Sequence, residues 1–78
     1  MKLKTMTDVD HFTQALNECQ DDVWLTSPND NYNVKSAISQ IIAIGRMLGG
    51  DESLELFASS KEDEQHLLKM FRTYPEML

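Results

Sequence analysis

The stretch 22–45 constrains the fold most, because its apolar spacing changes there from the period of a strand to that of a helix. Val23 and Leu25 share one side of a predicted strand, and the turn-forming run 27–31 separates this strand from another at 32–34. This order predicts a β-hairpin that leads directly into a helix. The helix is expected to begin at residue 36 and to bury the apolar residues Ile38, Ile41, Ile42, Gly45 and Leu48.

The N-terminal segment is predicted to form a strand followed by a helix. Residues 2–6 are interpreted as the strand, with Leu3 on one face, and Thr7 or Asp8 is the expected N-cap of the helix. We expect the helix to end between residues 18 and 20. Its apolar side chains recur at three- and four-residue spacing: Val9, Phe12, Leu16 and Cys19.

The C-terminal segment is predicted to add one more strand and one more helix. Residues 53–58 alternate apolar and polar side chains, the pattern of a half-buried strand. Ser59 and Glu62 have the spacing of a capping box, and the acidic run 62–64 is interpreted as a solvated first turn. The apolar stripe of this helix precedes Pro75 and contains Leu67, Leu68, Phe71 and Tyr74.

Size and charge bound the classes of function. A chain of 78 residues forms a single domain, residues 1–78, and its net charge of −6 argues against nucleic acid or an anionic membrane as a partner. Its one cysteine, Cys19, cannot form an internal disulfide, so a cytoplasmic location is predicted. The pattern lacks a metal-ligand spacing, a phosphate-binding glycine loop and a catalytic triad, so neither a metal, a cofactor nor an enzymatic activity is expected.

The order of elements and the junction Lys35-Ser36 resemble the HPr family, the phosphocarrier of the bacterial sugar phosphotransferase system. The resemblance implies an α+β open-faced sandwich with a four-stranded antiparallel sheet and three helices on one side, in the order β-α-β-β-α-β-α. It also implies that Ser36 matches a serine that some members use for regulatory phosphorylation. In the family, the second helix is a docking surface for partner proteins.

The segment 5–11 departs from the family pattern. Phosphocarriers place an exposed histidine there together with an arginine and a proline. This segment has no arginine and no proline, and it carries Asp8 and Asp10. These carboxylates would repel a phosphohistidine with about two negative charges. His11 is the one phospho-acceptor candidate, and it is predicted to point outward as a plain solvated histidine. His66 is interpreted in the same way.

Several residues have both a structural and a functional interpretation. Ser36 is either a helix N-cap alone or an N-cap that is also a regulatory phosphorylation site. Trp24 and Phe57 are out of phase with the inner faces of their strands, so they are expected to share the open face of the sheet if the strands are neighbours. The candidate partner-binding residues are Lys35, Ile38, Ile41 and Ile44, of which at least one isoleucine is expected to be exposed.

The predicted function is therefore non-enzymatic. A diverged HPr-like protein would act through protein contacts in regulation linked to sugar phosphotransfer, without phosphohistidine chemistry. One alternative is an active phosphocarrier that uses His11. Another is a homodimeric interaction module that associates through the open sheet face. The sequence does not name the protein partner.

Overall fold

Three helices and a small sheet account for most of the chain. The computed structural model describes all 78 residues. In chain order the elements are helix α1 (Met6–Glu18), strands β1 (Val23–Thr26) and β2 (Asn31–Asn33), helix α2 (Ala37–Leu48), strand β3 (Glu55–Ala58), helix α3 (Lys61–Thr73) and a short 3₁₀ helix (Pro75–Met77). The α+β class predicted from the sequence is confirmed.

The sheet is antiparallel and has the strand order β2-β1-β3. The central strand β1 buries Val23 and Leu25, and Leu25 pairs with Tyr32 of β2 on one side and with Leu56 of β3 on the other. The predicted hairpin and the predicted strand near 53–58 are thus present and paired.

The predicted N-terminal strand over 2–6 is wrong, so the sheet has three strands and not four. Helix α1 begins at Met6, and its N-cap is Thr5, not Thr7 or Asp8. Asp8 forms a capping box with Thr5 and also accepts the Lys4 backbone N–H at 3.0 Å. These bonds draw the segment into the helix N-terminus, because they satisfy amides that a strand would have offered to the sheet.

The core contains buried side chains of the sheet and of all three helices. The predicted α1 stripe is confirmed, with Val9 half-buried at its edge and the other three residues buried. Helix α3 begins one residue later than predicted, with Ser60 as its N-cap, and it buries Met70 in addition to Leu67 and Phe71. Leu68, expected in the buried stripe of α3, is exposed.

Helix α2 is oriented opposite to the prediction. It buries Ala43 and Met47, and Ile44 is half-buried. The residues that were predicted to be buried are all exposed: Ile38, Ile41, Ile42, Gly45 and Leu48. Helical periodicity groups side chains on one side of a helix but does not say which side meets the core. No helix of the chain is long and apolar enough to cross a membrane.

Candidate protein-binding surface

Helix α2 has two apolar sides, and the larger side chains are on the outer one. Ile38 and Ile41 are 73% and 70% exposed, and Ile42 and Leu48 are 47% and 46% exposed. At 3.6 residues per turn these residues and Gly45 lie on one side of the helix, opposite Ala43 and Met47. We call Ile38, Ile41, Ile42, Gly45 and Leu48 the α2 stripe. A contiguous apolar stripe on so small a domain is typical of a contact surface.

A polar network anchors the C-terminal end of α2 to the hairpin. Arg46 donates through Nε and Nη2 to Asp51 Oδ2, at 2.9 and 2.6 Å, and through Nη1 to the Tyr32 hydroxyl at 3.0 Å. Nη1 also lies 3.4 Å from Asp30 Oδ2. The charge of Arg46 is therefore neutralised within the chain, and the helix is anchored while the α2 stripe points outward.

Asp51 is the acidic centre of this network. The hydroxyl and the backbone N–H of Ser53 both donate to its Oδ1 atom, and Arg46 occupies Oδ2. These bonds lower the pKa of Asp51 to about 2, with the Ser53 hydroxyl as the largest cause. The carboxylate therefore stays charged at neutral pH and keeps its bonds to Arg46.

Lys35 has a structural role that the sequence did not reveal. Its ammonium group donates to the carbonyl oxygens of Leu16 and Cys19, at 3.2 and 2.5 Å. These carbonyls belong to the end of α1, where the helix dipole favours a positive charge. The head group of Lys35, a predicted partner-binding residue, is thus engaged inside the chain. Of the predicted isoleucines, Ile38 and Ile41 are exposed and Ile44 packs against the core.

Ser36 marks the start of α2 but does not cap it with its side chain. Its backbone has the extended conformation of an N-cap, and its hydroxyl makes no capping hydrogen bond. Near this end of the helix, the Gln40 side chain donates through Nε2 to the Val34 carbonyl at 3.0 Å. The Ser36 residue is exposed, so its hydroxyl is accessible at the N-terminal end of α2, two residues before Ile38.

His11 is half-buried, contrary to the prediction of a solvated side chain. Its ring stacks on Tyr74 with a centroid distance of 3.8 Å and an interplanar angle of 12°. The Nδ1 atom is buried and has no hydrogen-bond partner. His66 is also half-buried, with Nε2 3.5 Å from Glu18 Oε1. The exposure of both rings was predicted wrongly because the residues they contact, Tyr74 for His11 and Glu18 for His66, are distant in sequence.

Trp24 and Phe57 form a second, smaller apolar patch. They occupy directly opposite positions on β1 and β3, as expected for neighbouring strands, and are 38% and 52% exposed. Such cross-strand aromatic pairs stabilise a sheet by their own contact. The neighbouring strand positions are polar: Asn33 of β2 pairs with Trp24, and Asn31 of β2 and Glu55 of β3 pair with Thr26.

Asp63 was expected in a solvated acidic turn but is buried. Its carboxylate accepts the backbone N–H groups of Asp21 and Gln20, at 2.9 and 3.0 Å. These two bonds lower its pKa, with the Asp21 bond as the largest cause. Together with Lys35, Asp63 fixes the turn between α1 and β1.

The neighbouring thiol of Cys19 is buried, and burial raises its pKa, which disfavours the nucleophilic thiolate.

No protein-family model, curated protein or solved structure matches the chain. The resemblance to HPr therefore stays a prediction. No group of three or more histidine, cysteine or carboxylate side chains is arranged to hold a metal ion.

Proposed function

We propose that this chain acts by binding another protein surface through the α2 stripe, without transferring a phosphoryl group or catalysing a reaction. The observation that carries the proposal is the exposure of Ile38 and Ile41 while Ala43 and Met47 face the core. Full burial of an isoleucine or leucine contributes about 1.5–3 kcal/mol relative to exposure. The α2 stripe therefore holds apolar surface that only another molecule can cover.

The test compares variants that change one patch at a time. Immobilised wild-type protein, the double variant Ile38→Gln/Ile41→Gln and the matched control Phe57→Gln are exposed to extract from the native cell. We expect a specific protein to bind the wild type and the control but not the double variant. All three should be folded at the temperature of the capture experiment, and Phe57→Gln is expected to melt at a slightly lower temperature because it loses its cross-strand pair with Trp24. Equal capture by the double variant would contradict the proposal.

The geometry around His11 supports the absence of phosphohistidine chemistry. Stacking on Tyr74 and burial of Nδ1 close one ring nitrogen to a phosphoryl donor. A phosphoryl group would also add negative charge next in sequence to Asp10, in a chain whose net charge is already −6. With enzyme I of the phosphotransferase system and phosphoenolpyruvate, we expect no acid-labile label. A label that disappears in His11→Ala would establish the alternative, an active phosphocarrier.

The accessible hydroxyl of Ser36 favours a regulatory extension of this proposal. A phosphate there would add about two negative charges at the N-terminal end of α2, two residues before Ile38. This would link the protein to the control of sugar phosphotransfer, as the resemblance to HPr implies. HPr kinase is then expected to phosphorylate the wild type but not Ser36→Ala. Phosphorylation elsewhere, or none, would remove this extension and leave the α2 proposal standing.

A further inference from the structure

Gly45 is a feature of α2 that the folded monomer does not explain. Glycine destabilises a helix interior relative to alanine. A Cβ atom built at Gly45 meets no heavy atom within 4 Å, and the only glycine with a positive φ is Gly50. Neither close packing nor backbone conformation inside the chain therefore requires glycine at this position. Its missing side chain leaves a notch that opens outward.

The notch lies at the centre of the α2 stripe. At about 100° per residue, Gly45 falls between Ile41 and Leu48 on one side and Ile38 and Ile42 on the other. Large exposed side chains therefore surround a gap one side chain wide. A gap surrounded by large side chains can accept a large apolar side chain of a partner at the level of Gly45.

The α2 stripe is complementary to itself in an antiparallel arrangement. A two-fold axis level with residue 43 places Ile41 of one helix opposite Gly45 of the other, and Gly45 opposite Ile41. The same axis places Ile38 opposite Leu48 at both ends. Two large side chains thus face two gaps, and apolar residues face each other at the ends. A two-fold contact needs this property, because each copy presents the same surface.

The charge distribution also favours a second copy over a charged partner. Helix α2 contains no acidic residue, and its single basic residue, Arg46, is neutralised by Asp51 and Asp30. All 13 acidic residues of the chain lie outside α2. Contact between two α2 stripes therefore places no two like charges of this helix opposite each other. Helix α2 offers no basic surface to which an anionic membrane or a nucleic acid could bind.

We propose that the α2 stripe is covered by the α2 stripe of a second copy, in an antiparallel two-fold dimer with each Ile41 in the Gly45 notch of its partner. This inference rests on the proposed function and names the partner of the same surface. A standard interface buries about 800 Å² on each side, roughly a sixth of the 4853 Å² surface of this chain. One helix about 18 Å long offers less area, so we expect a weak, concentration-dependent association.

Sedimentation velocity between about 10 µM and 1 mM tests for the dimer, since a weak association is populated in this range of concentration. The wild type and the control Phe57→Gln are expected to shift from monomer to dimer over this range. Ile41→Asp should dimerise about 100-fold more weakly, because each dimer loses two buried isoleucines. Gly45→Leu should remain monomeric, because its side chain fills the notch. Thermal unfolding at low concentration confirms that each variant is folded.

Disulfide trapping tests the antiparallel register. A mixture of Ile41→Cys and Gly45→Cys should form disulfide-linked heterodimers faster than either variant forms homodimers, and the pair Ile38→Cys and Leu48→Cys should behave in the same way. The wild type serves as the control, because its Cys19 is buried. Preferential homodimer trapping by each variant would indicate a parallel arrangement and overturn the proposed geometry.

The outcomes separate this inference from the proposed function. A wild type that stays monomeric at 1 mM overturns the dimer. The proposed function still stands in that case if, in the capture experiment, the wild type binds a protein other than itself and Ile38→Gln/Ile41→Gln does not bind it. A dimer that survives Ile41→Asp but dissociates in Phe57→Gln also overturns the inference, because the contact would then lie on the open sheet face.

Discussion

Helices α2 and α3 place their larger apolar side chains in opposite directions relative to the core. Helix α3 packs Leu67, Met70 and Phe71 against the core, whereas α2 packs Ala43 and Met47 inward and leaves its isoleucines outside. Polar bonds from Arg46 help hold α2 in place. The contrast is that α3 contributes its larger apolar side chains to the core of this chain, whereas α2 leaves its larger ones exposed to solvent.

The largest expected effect is on the α3 side of this comparison. Leu67→Ala should lower the free energy of unfolding by about 2–5 kcal/mol, because it removes a buried side chain and leaves a cavity. Urea unfolding followed by far-ultraviolet circular dichroism measures the change. A loss below about 1 kcal/mol would mean that Leu67 contributes little to the core.

A second expected effect concerns the anchoring of α2 and depends on pH. Asp51 has a pKa lowered from 3.8 to about 2 in the folded chain, so its contribution to stability is present above about pH 4 and is lost as the pH falls toward about 2. The melting temperature of the wild type should fall across this window. Asp51→Asn should be less stable at neutral pH and should show a shallower fall, and an unchanged slope would rule out this role.

A smaller effect of opposite sign is expected at Gly45. Gly45→Ala should raise the free energy of unfolding of the monomer by about 0.5–1 kcal/mol, because alanine favours the helix and its Cβ atom meets open space. Denaturation at micromolar concentration keeps the measurement on the monomer. Gly50→Ala is the matched control, and it should be destabilising because Gly50 has a φ of 91°.

The smallest effect is expected on the α2 stripe itself. Ile41→Ala should change the unfolding free energy of the dilute protein by no more than about 0.5 kcal/mol, because the side chain is exposed. The same urea titration used for Leu67→Ala measures it. A loss comparable to that of Leu67→Ala would show that Ile41 stabilises the monomer and would remove the contrast between the two helices.

Much of the fold could be predicted from local patterns. The hairpin, the stripe of α1 and the order of elements from α1 onward follow from the spacing of residues such as Val23, Leu25 and Phe12, which local periodicity captures. The N-terminal strand was predicted wrongly because Thr5 and Asp8 form a capping box one turn earlier than expected. Alternation over a few residues is too weak a signal to outweigh such a cap.

The candidate site was only partly predictable for a different reason. The exposure of an isoleucine in α2 was expected, but the side of the helix that meets the core depends on contacts with the rest of the chain. The same holds for Lys35 and Asp63, whose partners lie 16 or more residues away in sequence. Pairings over such distances leave no mark in the spacing of neighbouring residues.

The burial of Cys19 gives this chain an internal reporter of its own opening. The thiol lies at the end of α1, in the core and against the turn held by Lys35 and Asp63. An alkylating reagent can reach it only when this region opens, so the labelling rate under native conditions measures the free energy of that opening. Lys35→Met, which removes the ammonium group from the α1 carbonyls, should then accelerate labelling without any denaturant.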